Sequence, residues 1–478
     1  MRHPRLLVSA AHKSSVKTTL AIGLARALVE RGLAVQTFKK GPDYIDPMWL
    51  ARASGSPCFN LDPHLMHEAE IDALFARHAH SADVSLVEGN KGLYDGLALD
   101  GSNSNAALAR QLDMPVLLVI DARGMTRGIA PLILGYQAFD PAVRIGGVVL
   151  NQLGGSRHEA KLRAVIEHYT DVPVLGAVQH DPRLAMVERH LGLTPTAEVG
   201  DTDRLLHDLA DAVAAQVDLD RVQALAGSAA AMPMDAMPAP AAATHTQPVR
   251  IGIARGAAFG FYYPDDLDAL RAAGATLHSF DPLRDAQLPL LDGLFIGGGF
   301  PEAFMTQLEA NGGLRAEIRA AISAGLPVYA ECGGLMYLAR SIRWNGQVAQ
   351  MVGAIPGNVV MHERPVGRGY VRLVESADFP WPPRPGTDGA NAERLGHEFH
   401  HSELIDIDPT LRYAYQVRRG HGVDGHRDGV MVNNLLASYT HLRATGGNEW
   451  PLRFVNFIRS RQQPRRSPAA TAPAALAV

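Results

Sequence analysis

The chain has 478 residues, of which 47% are hydrophobic and 20% charged, and a formal net charge of −4. That length suits two or three globular domains with real cores, and that charge gives no reason to expect a nucleic acid partner. Two cysteines, Cys58 and Cys332, make no disulfide framework, which fits a reducing cytoplasm; no signal peptide and no apolar run near the ~18 residues of a membrane span is seen.

Residues 6–11 read as a buried strand and 18–31 as an amphipathic helix with Leu20, Leu24 and Leu28 on one side. Between them lies His12-Lys-Ser-Ser-Val-Lys17-Thr18-Thr19. Strand, tight loop, Lys-Thr-Thr and helix form the context of a phosphate-binding P-loop. Lys17 would reach the outer phosphates of ATP and Thr18 would hold Mg²⁺. The loop around them, with Lys13, Ser14, Ser15 and Thr19, would cradle phosphate oxygens. The consensus glycines would fall at Ala11 and Val16, and a β-branched residue is a poor substitute where the backbone must turn tightly. A plain strand–turn–helix is the alternative.

A second strand, 34–38, runs into Lys39-Lys40-Gly41-Pro42-Asp43-Tyr44-Ile45-Asp46-Pro47, which puts two lysines and two carboxylates in one turn. A solvated Pro/Gly turn is the plainer reading. A third strand, 84–89, ends at Glu88 and is followed by Asn90-Lys-Gly-Leu-Tyr-Asp95-Gly96. A carboxylate at the C-terminal end of a parallel strand sits on the ligand-binding edge of an α/β sheet, where phosphoryl transfer needs acids for Mg²⁺. Asp95 is either such a group or a structural cap. Strands at 116–121, 146–152 and 172–176, with helical patterns between them, predict a mostly parallel, doubly wound sheet. Asn151 follows its strand where a nucleotide base could be recognised, and 188–193 reads as an ordinary helix end.

Residues 226–248 are Ala/Pro-rich without a periodic apolar face and read as a linker. It divides an activating domain, 1–225, from a second α/β domain, 249–460. Residues 461–478 read as a disordered tail. The second domain opens with a strand at 249–254 and a helix at 265–273. A further strand ends in Gly297-Gly298-Gly299, a run suited to a backbone oxyanion hole. Residues 327–330 form a strand, Cys332 sits on the sharp turn after it, and a helix starts at Gly333-Gly334. Such a turn exposes a nucleophile, lowers a thiol pKa and offers N–H groups, that of Gly333 among them, to an oxyanion. A buried structural cysteine is the alternative. Residues 432–441 read as a strand ending in His441. His397, His400 and His401 match no standard zinc spacing.

The glycine run, Cys332 and His441, in that order, resemble the class I glutamine amidotransferase domain. The resemblance makes Cys332 the nucleophile, His441 its base, and Gly298, Gly299 and Gly333 the oxyanion site. Where that class usually carries an acid, two residues after the histidine, this chain has Arg443. The cobyrinate and cobyrate branch shares the departure and works with a Cys–His pair. The P-loop, Lys39 to Pro47, Asn60-Leu-Asp62, Glu88-Gly-x-x-Gly-Leu-Tyr-Asp-Gly96, Arg189-His-Leu-Gly-Leu193, Phe259-Gly-Phe-Tyr-Tyr-Pro264 and Gly396-His-Glu-Phe-His400 occur together with this glutaminase. That set is similar to the cobyrinic acid a,c-diamide synthase family over nearly the whole chain.

The resemblance implies a dethiobiotin-synthetase-like first domain that uses ATP and Mg²⁺ to phosphorylate a tetrapyrrole carboxylate. Ammonia from glutamine then displaces the phosphate. Thr18, Asp43, Asp46 and Glu88 would surround the metal, Lys13, Ser14, Ser15, Lys17, Thr18, Thr19 and Asn151 the nucleotide, and Tyr44 and Asp95 the substrate. Glu398 or His400 would help shape the glutaminase centre, a structural role being the equal alternative. The expected partners are glutamine and a corrin or siroheme, in the cytoplasm, with a homodimer left open. Val16 and Asn90-Lys91 depart from the family pattern and leave a siroheme-amidating paralogue as one alternative. A P-loop switch ATPase carrying a non-catalytic glutaminase-like module is another.

Overall fold

The computed structural model describes residues 3–12, 16–181, 186, 188–189, 192–231, 248–382 and 393–462. The expectations for Lys13, Ser14, Ser15 and the tail beyond Gln462 fall outside them. Two compact units emerge. One is Met1–Ala241 with Phe261–Leu267 and Arg443–Asn448; the other is Ala242–Gly260, Asp268–Leu442 and Glu449–Val478. The simple division at a linker is thus corrected by two short segments of the C-terminal half that fold with the first unit. The helix Leu219–Gly227 also takes in the first two residues assigned to the linker, with Ala226 fully buried.

The first unit is built on a seven-stranded sheet. Its order is Phe59–Leu61, Val35–Lys40, Val84–Gly92, Arg5–Ala10, Val116–Asp121, Ile145–Leu153 and Val174–Gln179. All neighbours are parallel. Strands such as Leu6–Leu7–Val8 are buried on both faces, which is why their sequences are continuous apolar runs. The helix Lys17–Glu30 buries Leu20, Leu24 and Leu28, each contributing about 2 kcal/mol by leaving water. It packs closely on Thr202–Ala214: a Cβ on Gly23 would lie 2.9 Å from the Leu209 carbonyl oxygen and 2.7 Å from Val213 Cγ2. The register aligns Lys39 with Glu88 and with Asn60 across neighbouring strands, so three chemically distinct strand ends meet at one edge. The 188–193 stretch is not a helix end: Glu188–Arg189 and Gly192–Leu193 pair as short antiparallel strands.

The second unit holds a ten-stranded sheet. Five strands are parallel: Ala275–Phe280, Val249–Ala254, Gly293–Ile296, Val328–Glu331 and Leu435–Ser438. Five continue antiparallel: Arg427–Val432, Arg412–Arg419, Gly367–Glu375, Glu393–His400 and His441–Leu442. The expected single strand from 432 to 441 is therefore three pieces. Asn433, at φ 52°, turns the chain between Val432 and Leu435, as Asn does readily in tight hairpins. His441 then lies on a separate two-residue strand paired with His397. Among the described residues no helix is long and apolar enough to cross a membrane.

Candidate active site

The thiol side is built from the turn after Val328–Glu331. Cys332 has φ 48° and ψ −103°, a conformation that costs a non-glycine residue of order 1–3 kcal/mol. The fold holds it there. The Cys332 amide donates to the Ser438 carbonyl at 2.7 Å, and its carbonyl accepts from Met336 N at 3.1 Å. Two glycines make room for the sharp entry into the helix Gly333–Leu338. A Cβ on Gly334 would lie 2.1 Å from the Ile296 carbonyl oxygen, and one on Gly333 would lie 2.9 Å from Gly299 N. The structure thereby brings Gly333 against the Gly298–Gly299 backbone, beside the thiol's turn.

His441 is buried and its Nδ1 is 3.1 Å from Glu331 Oε2. Glu331 Oε1 also accepts from Leu442 N at 3.0 Å and from the Tyr329 hydroxyl at 2.6 Å, so the carboxylate is fixed before it meets the ring. Burial opposes a charge on His441, but hydrogen bonds to Cys332 and Glu331 and their charges override it and push the imidazole up to about 10. The His397 ring stacks on His441 at 5.0 Å. Behind them the buried Asp428 accepts from Tyr439 N and Thr440 N, both at 3.0 Å, and so clamps the turn that delivers His441.

The structure thus sets Glu331 beside the expected Cys332 and His441, so that the three side chains form one line. Glu331 immediately precedes the thiol. Its signal was a carboxylate at the end of an otherwise buried apolar strand, a place where an acid must have a partner. Arg443 does not substitute for the acid. It belongs to the first unit, where its buried guanidinium donates to Asp265 Oδ2 at 2.9 Å and to the Asn60 carbonyl at 2.5 Å. Glu398 accepts from His421 N and Gly422 N at 2.7 and 2.8 Å, and His400 stacks on Tyr439 at 3.9 Å. Glu398 thus braces the turn at residues 421–422, and His400 packs on the ring two residues before His441.

The first unit carries a charged cluster at the carboxyl edge of its sheet. Lys17 Nζ pairs with Glu88 Oε1. Thr18 Oγ1 donates to Glu88 Oε1 at 2.6 Å and lies 3.3 Å from Asp46 Oδ2. Lys39 Nζ bridges Asp46 Oδ2 at 2.6 Å and Glu88 Oε2 at 3.0 Å, with Asp43 Oδ2 at 3.7 Å. Burial alone would push Glu88 up, but Lys17 and Lys39 hold it down to about 2. Burial and the neighbouring Asp46 push Asp43 up to about 7. Lys39 is raised well above its ordinary value, because its carboxylates outweigh its burial. Lys17, Thr18, Asp43, Asp46 and Glu88 thus converge, as a set of oxygen donors and cations suited to phosphates and a hard cation.

The remaining expected residues are placed differently. Val16 takes φ 54°, the left-handed backbone that a consensus glycine would supply. Thr19 and Asn151 line one cavity of about 260 Å³ with Val16, Leu20 and Gln152. Tyr44 joins an aromatic cluster with Phe261 and Tyr263 at 5.3 and 4.6 Å. Asp95 Oδ2 accepts from Gly92 N at 2.8 Å, which is the capping role.

Residues 250–449 match the CobB/CobQ-like glutamine amidotransferase domain, and residues 7–193 the CobQ/CobB/MinD/ParA nucleotide binding domain. The chain is 43% identical to a cobyrinate a,c-diamide synthase of Magnetococcus marinus, covering 96% of this chain and 98% of the relative. It is 42% identical to one from Methanosarcina acetivorans, with 93% of each covered. A third, from Listeria monocytogenes, is 39% identical over 92% of this chain and 96% of its own length.

Proposed function

Since the chain belongs to the cobyrinate a,c-diamide synthase family, we propose that it amidates the a and c carboxylates of cobyrinate or hydrogenobyrinate, using ATP and glutamine. The family makes it a glutamine-dependent amidating ligase with a nucleotide-binding domain, acting in cobalamin biosynthesis. That sets aside the switch ATPase with an inert module. The observation that carries the reading is the buried line Glu331–His441–Cys332 on a strained strand-to-helix turn.

In this reading the Cys332 thiolate attacks the glutamine carboxamide carbon while Gly298, Gly299 and Gly333 line the side where the oxyanion forms. Protonated His441, oriented by Glu331, gives its proton to the departing nitrogen, and ammonia leaves. Water, giving a proton back to His441, cleaves the thioester to glutamate and restores the thiol. In the first unit a substrate carboxylate oxygen attacks the γ-phosphorus of ATP, and ADP leaves. Ammonia then attacks the acyl carbon and expels phosphate. Lys17 and Lys39 lie where they would balance phosphate charge, and the cavity at Asn151 would take the base. Thr18, Asp46 and Glu88, with Asp43 beside them, offer the hard oxygen donors that Mg²⁺ prefers. Bound there, the ion would neutralise charge on the transferring phosphoryl group.

The test is amidation read by mass spectrometry, with Mg-ATP and glutamine and either cobyrinic acid, hydrogenobyrinic acid or siroheme. A diamide from a corrin, lost in Cys332→Ala but restored by free ammonia, supports the proposal. Amide from siroheme alone would replace it with the paralogue reading. Glutamate release that survives Cys332→Ala would overturn the assignment of the thiol.

A further inference from the structure

The strand Val84–Gly92 does more than carry Glu88. Its register with Arg5–Ala10 breaks after that residue: Val8 pairs with Glu88, but Ala10 pairs with Gly92. Two extra residues bulge out, and bulges beside active sites commonly re-aim a side chain. Lys91 lies in this bulge, exposed, at φ 44°, a backbone that a lysine adopts only when its surroundings enforce it. The loop that follows is tied down at several points. Asp95 caps Gly92 N. Asn103 Oδ1 accepts from Leu97 N at 2.8 Å and Ala98 N at 3.3 Å. Lys40 Nζ, buried beside the phosphate cluster, donates to the Asn103 carbonyl at 2.5 Å and to Asn90 Oδ1 at 3.1 Å. On this fastened loop Leu97 is 52% exposed and Leu99 107% exposed.

Single exposed leucines need no explanation, but here two of them share a held loop with a strained cation three residues beyond Glu88. Through its bonds to Asn90 Oδ1 and to the Asn103 carbonyl, Lys40 ties the bulge that carries Lys91 to the loop that carries the leucines. A surface that is apolar in one part and positive in the next complements a flat ring system rimmed with carboxylates.

We propose that Lys91, Leu97 and Leu99 dock the macrocycle of the substrate. The leucines lie against an apolar ring face, and Lys91 pairs with a peripheral carboxylate other than the one being activated. The proposal rests on the function proposed above and adds what selects the substrate. It also assigns a purpose to Lys91, a departure from the family pattern.

The experiment uses the full chain with Mg-ATP and free ammonia, so that the glutaminase step is bypassed, and varies cobyrinate. Lys91→Ala and the double variant Leu97→Ser/Leu99→Ser should each raise KM for the macrocycle about 10-fold, with kcat and the KM for ATP within about twofold of wild type. Lys91→Arg should restore most of the affinity. Absorbance titration of the macrocycle in the absence of ATP should show the same loss. Wild-type turnover with unchanged macrocycle KM in both variants would overturn the docking surface and leave the proposed function standing. If KM is unchanged and light scattering shows that the leucine variant alters the mass of the particle, the loop is a protein interface. A wild type that neither binds nor amidates a macrocycle would sink both readings.

Discussion

Glu331 and Cys332 are neighbours in the chain, and both meet one imidazole. The strand's alternation and the sharp turn at Cys332 let both reach His441, which arrives from a strand more than a hundred residues later. Glu331→Gln keeps the shape and removes the charge, so the His441 pKa should fall. Imidazolium then persists over a narrower range, and the alkaline limb of the glutaminase pH profile should move about one unit lower, with kcat/KM down about 10- to 100-fold. The same group bears on stability. A histidine raised from 6.5 to about 10 stabilises the fold fully below pH 6.5, and that contribution is lost as pH rises through 10. Thermal unfolding of Glu331→Gln should therefore vary less with pH across this window than that of the wild type. Val16 makes a different prediction. Left-handed backbone costs a β-branched residue about 1–2 kcal/mol, more than the entropy a glycine would lose. Val16→Gly should match or exceed wild-type stability and tighten ATP, read by melting temperature and the KM for ATP. A clear loss of both would show that the valine side chain is needed. Val16 and Cys332 were legible as odd residues in recognisable turns. Glu331 showed only as an acid closing a buried strand, and the arrival of His441 is what tells which partner that acid meets.

At the scale of elements, close backbone approach decides what can change. Gly334 sits under the Ile296 carbonyl, with no room for a methyl group at 2.1 Å. Gly334→Ala must push the helix Gly333–Leu338 away from its strand. It should lower stability by about 1–3 kcal/mol and abolish glutaminase activity, while ammonia-dependent amidation by soluble protein survives. In the other sheet, Glu88 is the element's electrostatic keystone. Its carboxyl falls from 4.5 to about 2, so its contribution is present above pH 4.5 and lost as pH drops through 2. Glu88→Gln should remove that acid-dependent part of the unfolding profile and also silence the ATP-dependent step. Both parallel sheets were readable as apolar runs ending in Gly, Glu or Asn. The antiparallel pairings were harder: Asn433 breaks what looks like one strand into a hairpin, and Glu188–Arg189 pairs with Gly192–Leu193 where a helix end was expected.

At the scale of the whole molecule, the unexpected fact is that the first unit includes Phe261–Leu267 and Arg443–Asn448. Arg443 is buried by Asp265, the Asn60 carbonyl and the face of Tyr263, whose ring centre is 4.9 Å away. Removing one partner of a buried pair strands the other, so Arg443→Met should cost about 3 kcal/mol. A fragment of residues 1–231 lacks both segments and should melt well below the corresponding transition of the full chain in calorimetry. Equal stability of the fragment would show that the segments are ornaments on a self-sufficient unit.

The sequence by itself determined the α/β fold class and the family, and it pointed to the thiol, the histidine and the acids and lysines that the structure draws into one charged cluster. These follow from local rules: apolar runs make strands, and a reactive residue at a strand end needs only its immediate neighbours to be recognised. The tertiary structure alone decided which acid meets His441, that Asp95 caps a turn, that Arg443 belongs to the other unit, and that Lys91 is turned outward by a bulge. Each of these depends on a partner distant in the chain or on a backbone angle that neighbours enforce, and neither is written in local composition.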